Sequence, residues 1–303
     1  MKFGKLPDIS LVDFQLPPDP PFTQTQLARL PAPESLANCY IGCTGWGMKE
    51  WVGKVYPPKT PAKEYLWYYS RQFNTIELNT THYRIPSPGM VEKWKNESAA
   101  DFKFCPKVPQ RISHSKDLAL NGELIETFCE AIAGLEDKLG CCFVQLPPYF
   151  GVDRLPLLRR FLERWPTEVP LAVEFRHESW FAQPAPEVWT VLQAAGVSTV
   201  ITDVAGRRDV LHQYLTTDTA MIRFVGNGLH PTDYQRIDEW VKRLKTWLQR
   251  GLREVYFFPH EPDNLLAPDL SLYLAAAVQE HCPAHTRGPV FHQEPGGQQM
   301  ELF

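Results

Sequence analysis

Short apolar runs alternate with longer amphipathic stretches over most of the chain, from Tyr40 to about residue 260. Eight of these runs are about six residues long, the usual length of a strand. The stretches between them have helical spacing. Eight strands with intervening helices over roughly 240 residues predict an α/β fold of the (β/α)8 TIM-barrel-like class. The candidate strands begin near Tyr40, Asn74, Phe102, Cys141, Leu171, Val197, Ala220 and Glu254.

The clearest predicted helix begins at Thr232, where Thr232 and Gln235 have the spacing of a capping box. A second amphipathic stretch runs from Leu124 to Leu139, after the third strand. We expect a single barrel domain over residues 39–282. Residues 1–38 contain seven prolines and no regular period, which predicts an extension lying on the body, and residues 283–303 form a polar tail.

Composition narrows the cellular setting and the class of partner. The net charge of −4 gives no general footprint for nucleic acid, which makes nucleic acid a less favoured partner. The first residues contain no apolar run of signal-peptide length, and no run is long enough to span a membrane. The seven cysteines are odd in number and lie mostly in apolar runs, so we expect a cytoplasmic protein with reduced thiols.

Strand alternation places charged side chains on the inner face of the predicted barrel. Successive side chains on a strand point to opposite faces, so the charged residues between outward apolar neighbours point inward. Buried charges cost several kcal/mol unless they are paired, which predicts a compensated network near the C-terminal ends of the strands. Its expected members are Glu77, Lys103, Lys107, Glu174, Arg176 and Arg223, with Asp203 just after strand six.

An anionic ligand is the interpretation that the sequence favours. Gly226 lies in a glycine-bearing loop after strand seven, where many barrels bind phosphate through backbone amides. We expect Lys107, Arg176 and Arg223 to hold a phosphate or carboxylate while Glu174, Glu77 or Asp203 handles protons. The loop after the first strand lacks the G-x-G-x-x-G spacing, so no nucleotide cofactor is expected.

Three other chemistries remain open. Glu77 and Glu174, on strands two and five, have the pattern of a glycosidase carboxylate pair. Five residues are candidate metal ligands by analogy with other barrels, although no short ligand spacing supports a metal: Glu174, Asp203, His177, His260 and His82. Trp46, Tyr83 and Trp180 follow strand ends, where an aromatic ring stacks on a sugar or base.

Together these interpretations define the candidate site, with no metal ligand and no cofactor assigned. The candidate catalytic residues are Glu174, Glu77, Asp203 and His177, and the candidate ligand-binding residues are Lys107, Arg176, Arg223, Asn79, Tyr83, Trp46, Gln145, Trp180 and Gly226.

Five segments stand in order along the chain: IGCTGW from Ile41, NTIELNTTHYRIPSP from Asn74, FKFCPKVPQRISH from Phe102, KLGCCFVQLPPYF from Lys138 and AVEFRHESW from Ala172. Together they resemble, in register, the YecE-like family, domain of unknown function 72. The resemblance implies a TIM-barrel-like fold and no particular activity. The sequence departs from the family pattern in two places: Val225 stands where a histidine is usual, and Pro259 and His260 stand where two asparagines are usual.

The sequence therefore predicts an enzyme or binding protein for a small anionic molecule. As an enzyme it would be a hydrolase, or an isomerase or lyase, that uses carboxylates in acid–base chemistry. The alternatives are a metal-assisted phosphoester hydrolase of the endonuclease type and a noncatalytic binding scaffold. The sequence indicates no oligomeric state.

Overall fold

The computed structural model describes residues 4–184 and 186–292 of the chain. The strands lie close to the predicted positions, with a further one near the C-terminus: β1 (Ala37–Ile41), β2 (Thr75–Leu78), β3 (Lys103–Pro106), β4 (Cys142–Gln145), β5 (Leu171–Glu174), β6 (Ser198–Asp203), β7 (Thr219–Val225), β8 (Glu254–His260) and β9 (Ala284–Thr286). The α-helices are α1 (Pro21–Arg29), α2 (Tyr65–Gln72), α3 (Thr80–Tyr83), α4 (Pro88–Glu97), α5 (Gln110–Ser113), α6 (Leu124–Ala133), α7 (Leu155–Arg164), α8 (Val188–Ala194), α9 (Pro231–Gln249) and α10 (Ala267–His281).

The described strands form two parallel sheets. Seven strands pair in the order β4-β5-β6-β7-β8-β1-β9, and β2 pairs with β3. A parallel bridge between Lys107 and Phe143 joins the end of β3 to β4. On the other side, the amide of Glu77 donates to the carbonyl of Cys43, just after β1, at 3.1 Å. The fold is therefore mixed α/β with a mainly parallel seven-stranded sheet, and backbone contacts link its two ends to the smaller sheet.

Between β1 and β2, the side chain of Asn74 makes the hydrogen bonds to the β1 backbone that a neighbouring strand would otherwise make. Asn74 accepts a hydrogen bond from the amide of Ile41 at 2.7 Å and donates to the carbonyl of Cys39 at 3.0 Å. Strand β9 occupies the N-terminal part of this edge of β1, where it pairs with residues 37–39. The amide of Asn74 thus satisfies backbone groups that a regular β1–β2 ladder would pair.

The strand faces divide the apolar residues as the alternation predicts. One buried cluster collects alternate residues from seven strand regions, among them Cys105, Ala172 and Met221. The opposite faces pack on helices, and in β7 Ile222 and Phe224 belong to the cluster that contains residues of α9. Arg223 lies between these two residues and therefore shares the inner face with Met221.

The N-terminal extension contributes a helix to the outer layer. No α-helix lies between β6 and β7 in the described chain, and α1 packs there instead. Its Thr23 hydroxyl donates to the carbonyl of Gln213 at 2.7 Å and accepts from the amide of Leu215 at 2.9 Å. Leu27 is buried in the same cluster as Leu215. The extension thus replaces the helix that a regular βα unit would supply.

Helix α9 begins at a different cap from the predicted one. The imidazole of His230 accepts from the amide of Thr232, and the carboxylate of Asp233 accepts from the amide of His230. The predicted Thr232–Gln235 capping box is therefore wrong, because the helix starts earlier, at Pro231, whose fixed φ suits the first helical position.

Among the described residues, no helix has both the length and the apolar character that crossing a bilayer requires.

Candidate functional site

A buried arginine at the centre of the inner face joins two carboxylates from different sheets. Arg223 of β7 donates through Nε and Nη2 to both carboxylate oxygens of Glu77 on β2, at 2.8 and 2.9 Å. Its Nη1 donates to Glu174 of β5 at 2.7 Å. All three side chains are essentially inaccessible to solvent. Strand alternation brings them together, since each sits at an inward position near the end of its strand.

Polar side chains extend this arrangement from Glu174 towards β3. Arg176 donates from Nε to Glu174 at 2.7 Å, and the Gln145 amide nitrogen donates to the other oxygen at 2.8 Å. Gln145 Oε1 in turn accepts from the ammonium of Lys107 at 3.1 Å. Gln145 is therefore held at both ends, which orients its amide between a carboxylate and an ammonium.

Two further groups bind Glu77 on the other side. His260, the last residue of β8, lies with Nε2 2.9 Å from Glu77 Oε2, and the amide of Asn79 donates to Oε1 at 2.9 Å. We call the whole set the charged cluster. Its members are Glu77, Asn79, Lys107, Gln145, Glu174, Arg176, Arg223 and His260.

The charged cluster keeps both carboxylates ionised. Burial alone would raise the pKa of Glu77, but Arg223 and His260 hold it well below its usual value. Burial also opposes ionisation of Glu174, yet Arg176 and Arg223 lower its pKa to about 2. A glycosidase needs one carboxyl that carries a proton near neutral pH. Neither Glu77 nor Glu174 meets that requirement here, which removes the support for the glycosidase alternative.

Lys107 is a buried amine of the charged cluster, and its pKa is lowered. Its side chain is 6% exposed, and burial together with Arg223 lowers its pKa to about 8. With Lys107 protonated, three cations (Lys107, Arg176 and Arg223) face two carboxylates. An ammonium has three protons to donate. Within the described residues, Gln145 is its one hydrogen-bond acceptor.

Asp203 does not join the charged cluster, contrary to the expectation from the sequence. It is the last residue of β6 and faces outward, where Arg236 donates to it at 2.7 Å and the Trp240 indole at 2.8 Å. Arg208 also pairs with Asp203 and donates to the carbonyls of Asp13 and Phe14. The carboxylate thus ties α9 to the N-terminal extension. The wrong placement arose because Asp203 belongs to the strand and follows the inward-facing position, whereas the prediction placed it in a loop.

Two candidates that follow β5 have packing roles. His177 caps a short turn, with Nδ1 accepting from the amide of Ser179 at 3.2 Å. Trp180 is fully buried, and its indole donates to the carbonyl of Phe150 at 2.7 Å. Trp180 also packs on Phe175 in the outer core. It is therefore not available to stack on a ligand, which corrects that expectation.

The loop after β7, predicted to bind an anion, holds a carboxylate of the chain itself. Glu261 accepts hydrogen bonds from the amides of Gly228 at 2.8 Å and Leu229 at 3.4 Å. A side chain at Gly226 would collide with the same carboxylate, so a glycine is needed there. Burial raises the pKa of Glu261 to about 7. Sequence reasoning missed Glu261, because nothing in the pattern after β8 indicates which loop it meets.

Tyr83 and Trp46 lie at separate clefts on the rim. Tyr83 is 79% exposed and lines a cleft of about 380 Å³ with His82, Arg111 and His114. Trp46 lines a mostly apolar cleft of about 330 Å³ and makes an edge contact with Trp94. A further cavity of about 390 Å³ lies between the N-terminal extension and the ends of β7 and β8. Residues of this third cavity include Leu6, Gly226, His260 and Glu261.

The predicted metal-ligand candidates do not converge. In the described parts of the chain, no three His, Cys, Asp or Glu side chains lie together as a metal site requires. His82 binds the carbonyl of Val108 through Nδ1 at 2.9 Å, and His260 binds Glu77. The three remaining candidates are held by the contacts described above: Glu174, His177 and Asp203.

Comparison with known proteins places the chain in a family. The profile of the family described as "Protein of unknown function DUF72" matches residues 40–293, which include the whole charged cluster. The chain belongs to the DUF72 family. Residues 1–39, with the extension that contacts Asp203 through Arg208, lie outside the matched region.

Curated relatives of this DUF72 protein match over most of their length. The UPF0759 protein YecE of Escherichia coli K12 is 33% identical over 275 residues, covering 84% of this chain and 98% of the relative. The UPF0759 protein YunF of Bacillus subtilis is 27% identical over 247 residues, covering 72% of this chain and 86% of the relative. Neither name states an activity.

Solved structures of DUF72 proteins support the fold. A crystal structure of a DUF72 family protein from Thermotoga maritima aligns with a TM-score of 0.62 and 28% identity, over 80% of this chain and 99% of that one. A DUF72 family protein from Enterococcus faecalis aligns with a TM-score of 0.64 and 20% identity, over 80% and 98%.

Proposed function

We propose that this DUF72 protein is an enzyme or binding protein for a small anionic molecule, a phosphate or carboxylate, that contacts Lys107. The observation that supports this proposal is the charge balance of the charged cluster. When Lys107 is protonated, it forms with Arg176 and Arg223 a set of three cations that face two carboxylates. An anion beside Lys107 would restore neutrality and accept the protons that Gln145 leaves unbound.

Arg223 has a different role in this proposal from the one that the sequence predicted. Its guanidinium nitrogens all donate to Glu77 and Glu174, so it positions the two carboxylates and does not bind the ligand. The anion is assigned to Lys107, near the cleft that Arg111 and the two histidines line. The amides of Gly228 and Leu229 are already bound by Glu261 and are not part of the proposed site.

We also infer that the two sheets are arcs of one (β/α)8 barrel. The bridge from Lys107 to Phe143 and the hydrogen bond from Glu77 to Cys43 support this, since they lie at the two junctions between the arcs. The charged cluster would then occupy the C-terminal mouth, where barrel enzymes build their sites. We propose a cytoplasmic location because all seven cysteines are free.

The test is a thermal-shift titration with inorganic phosphate, small carboxylates, phosphorylated sugars and uncharged sugars. A ligand at 100 times its dissociation constant stabilises by about 2.7 kcal/mol. We expect anions to raise the melting temperature of the wild type and not of Lys107→Met. Lys103→Met is the matched control, because Lys103 lies at the start of the same strand and donates to the carbonyl of Asp137. Stabilisation by anions that survives in Lys107→Met would overturn the proposal.

A further inference from the structure

Among the described residues two lysines are buried, Lys107 and Lys138, and they differ in how many hydrogen bonds the nitrogen donates. Lys138 is buried, and its ammonium donates to three oxygen atoms, the carbonyl of Lys95 and the carbonyl and hydroxyl of Ser98. All three of its protons are therefore bound by oxygen acceptors. Lys107 donates to the single acceptor Gln145. The loss of one proton would leave that hydrogen bond intact and free an electron pair on the nitrogen.

The surroundings of Lys107 shift its equilibrium towards the neutral amine, while the ammonium remains the major form at pH 7. It lies just after β3, and its backbone is fixed because its amide donates to the carbonyl of Leu78 and its carbonyl accepts from the Thr81 hydroxyl. Burial and Arg223 lower its pKa and Arg176 acts in the same direction, while Glu174 and Glu77 partly oppose them. With a pKa of about 8, about one Lys107 in ten is neutral at pH 7. A desolvated lysine beside other cations is an activated nucleophile.

We propose that the ε-amine of Lys107 forms an imine with the carbonyl carbon of an anionic aldehyde or ketone. This inference rests on the proposed function, because it names the substrate class of the same site. The anionic group would be drawn to the excess positive charge, and the carbonyl would then lie beside the amine. Gln145 is the positioning residue, since its amide is held by Glu174 and fixes the direction of the Lys107 nitrogen.

The chemistry needs only the amine and the carbonyl compound. The nitrogen electron pair attacks the carbonyl carbon and forms a carbon–nitrogen bond, giving a carbinolamine. The former carbonyl oxygen then leaves as water, carrying the two protons that the neutral amine brought. The product contains a carbon–nitrogen double bond. Borohydride reduces it to a stable secondary amine by transferring a hydride to the carbon, while the nitrogen takes one proton from water.

A solvent-exposed cleft lies near Lys107. It is lined by His82, Arg111 and His114, and Lys107 is close enough for its charge to add to burial in lowering the pKa of both histidine rings. Burial lowers the pKa of His82 to about 4, so its ring is neutral near pH 7 and adds no competing charge. The guanidinium of Arg111 is exposed at the same cleft, where it would attract the anionic end of a ligand.

The experiment uses pyridoxal 5′-phosphate, an anionic aldehyde, with borohydride trapping and peptide mapping. At substoichiometric aldehyde we expect Lys107 to be labelled roughly tenfold faster than Lys49, because a desolvated lysine beside other cations is the more activated nucleophile. Lys49 has an 84% exposed side chain, so accessibility alone would favour it. Lys138 is the buried control and should remain unlabelled. Inorganic phosphate should protect Lys107.

Lys107→Arg separates this inference from the proposed function. Arginine keeps the positive charge but does not form an imine. We expect the variant to bind inorganic phosphate in a thermal-shift titration and to lose the label, with circular dichroism confirming that it folds. If wild-type protein binds phosphate but labels Lys107 no faster than Lys49, the imine inference fails and the anion site stands. If wild-type protein neither binds phosphate nor labels Lys107, both fail.

Discussion

At the scale of single residues, the charged cluster depends on how Arg223 is shared. Its guanidinium has three nitrogens, and each donates to a carboxylate of Glu77 or Glu174. Buried ion pairs add little net stability over apolar packing, but removing one partner leaves uncompensated charge. Arg223 is thus required to keep the two carboxylates ionised and in place.

Arg223→Met should lower the free energy of unfolding by about 3–5 kcal/mol, because two buried carboxylates lose their shared partner. Chemical denaturation measures the loss. Arg159→Met is the control, since Arg159 forms an exposed pair with Glu187, and exposed pairs contribute less than about 1 kcal/mol. Equal losses in the two variants would contradict the description of the charged cluster as a coupled buried network.

The burial of Glu261 predicts that the stability of the protein falls as the pH rises. Burial raises its folded-state pKa to about 7, above the unfolded value, so the folded state holds the proton more tightly. The stability from this proton is complete below about pH 4.3, the unfolded pKa, and is lost as the pH rises through 7. Glu261→Gln cannot ionise, and its melting temperature should fall less than that of the wild type between pH 5 and pH 8.

Thermal melts across this pH range provide the measurement. Glu50→Gln, at a half-exposed surface position, should keep the wild-type slope. The interpretation of Glu261 fails if its variant also keeps that slope.

The residues of the charged cluster follow from period-two alternation, but their partners do not. Alternation places six charged residues on the inner face, and the structure brings all but Lys103 together there: Glu77, Lys103, Lys107, Glu174, Arg176 and Arg223. Lys103 was wrongly expected in the network, since it donates to the carbonyl of Asp137 instead. Alternation does not indicate that Arg223 serves both carboxylates. That pairing depends on side-chain reach across the inner face, which a sequence pattern does not contain.

At the scale of elements, the strands were predictable from the sequence. The two features that stand in for regular elements, α1 between β6 and β7 and the Asn74 side chain beside β1, were not. Apolar runs mark β1 to β8 because buried parallel strands are apolar on both faces. The packing of α1 between β6 and β7 was not predictable, since neither α1 nor residues 211–216 carries a regular apolar period. Likewise, a lone Asn74 before β2 gives no sign that its amide substitutes for a backbone ladder.

Asn74→Leu should destabilise the protein by about 2–4 kcal/mol, because the amide of Ile41 and the carbonyl of Cys39 lose their partner in a buried setting. Chemical denaturation again measures the change. Asn121→Leu removes an exposed amide that donates to Asp117, and we expect little effect there. A stable Asn74→Leu variant would show that the strand junction does not depend on this side chain.

At the scale of the whole molecule, the charged cluster joins the two sheets. Glu77 belongs to the sheet of β2 and β3, whereas Glu174 and Arg223 belong to the seven-stranded sheet. The same contacts that gather the polar groups therefore also hold the two sheets together. This arrangement concentrates the excess positive charge near Lys107, at the ends of strands from both sheets.

The most direct test of the anion site is a crystal structure of the protein grown without sulfate or phosphate and soaked in selenate, whose anomalous signal locates the ion. We expect a selenate oxygen within about 3 Å of the Lys107 nitrogen, and no selenate there in crystals of Lys107→Met. Selenate bound at the loop of Gly228 and Leu229 instead, or absent from the charged cluster, would contradict the account.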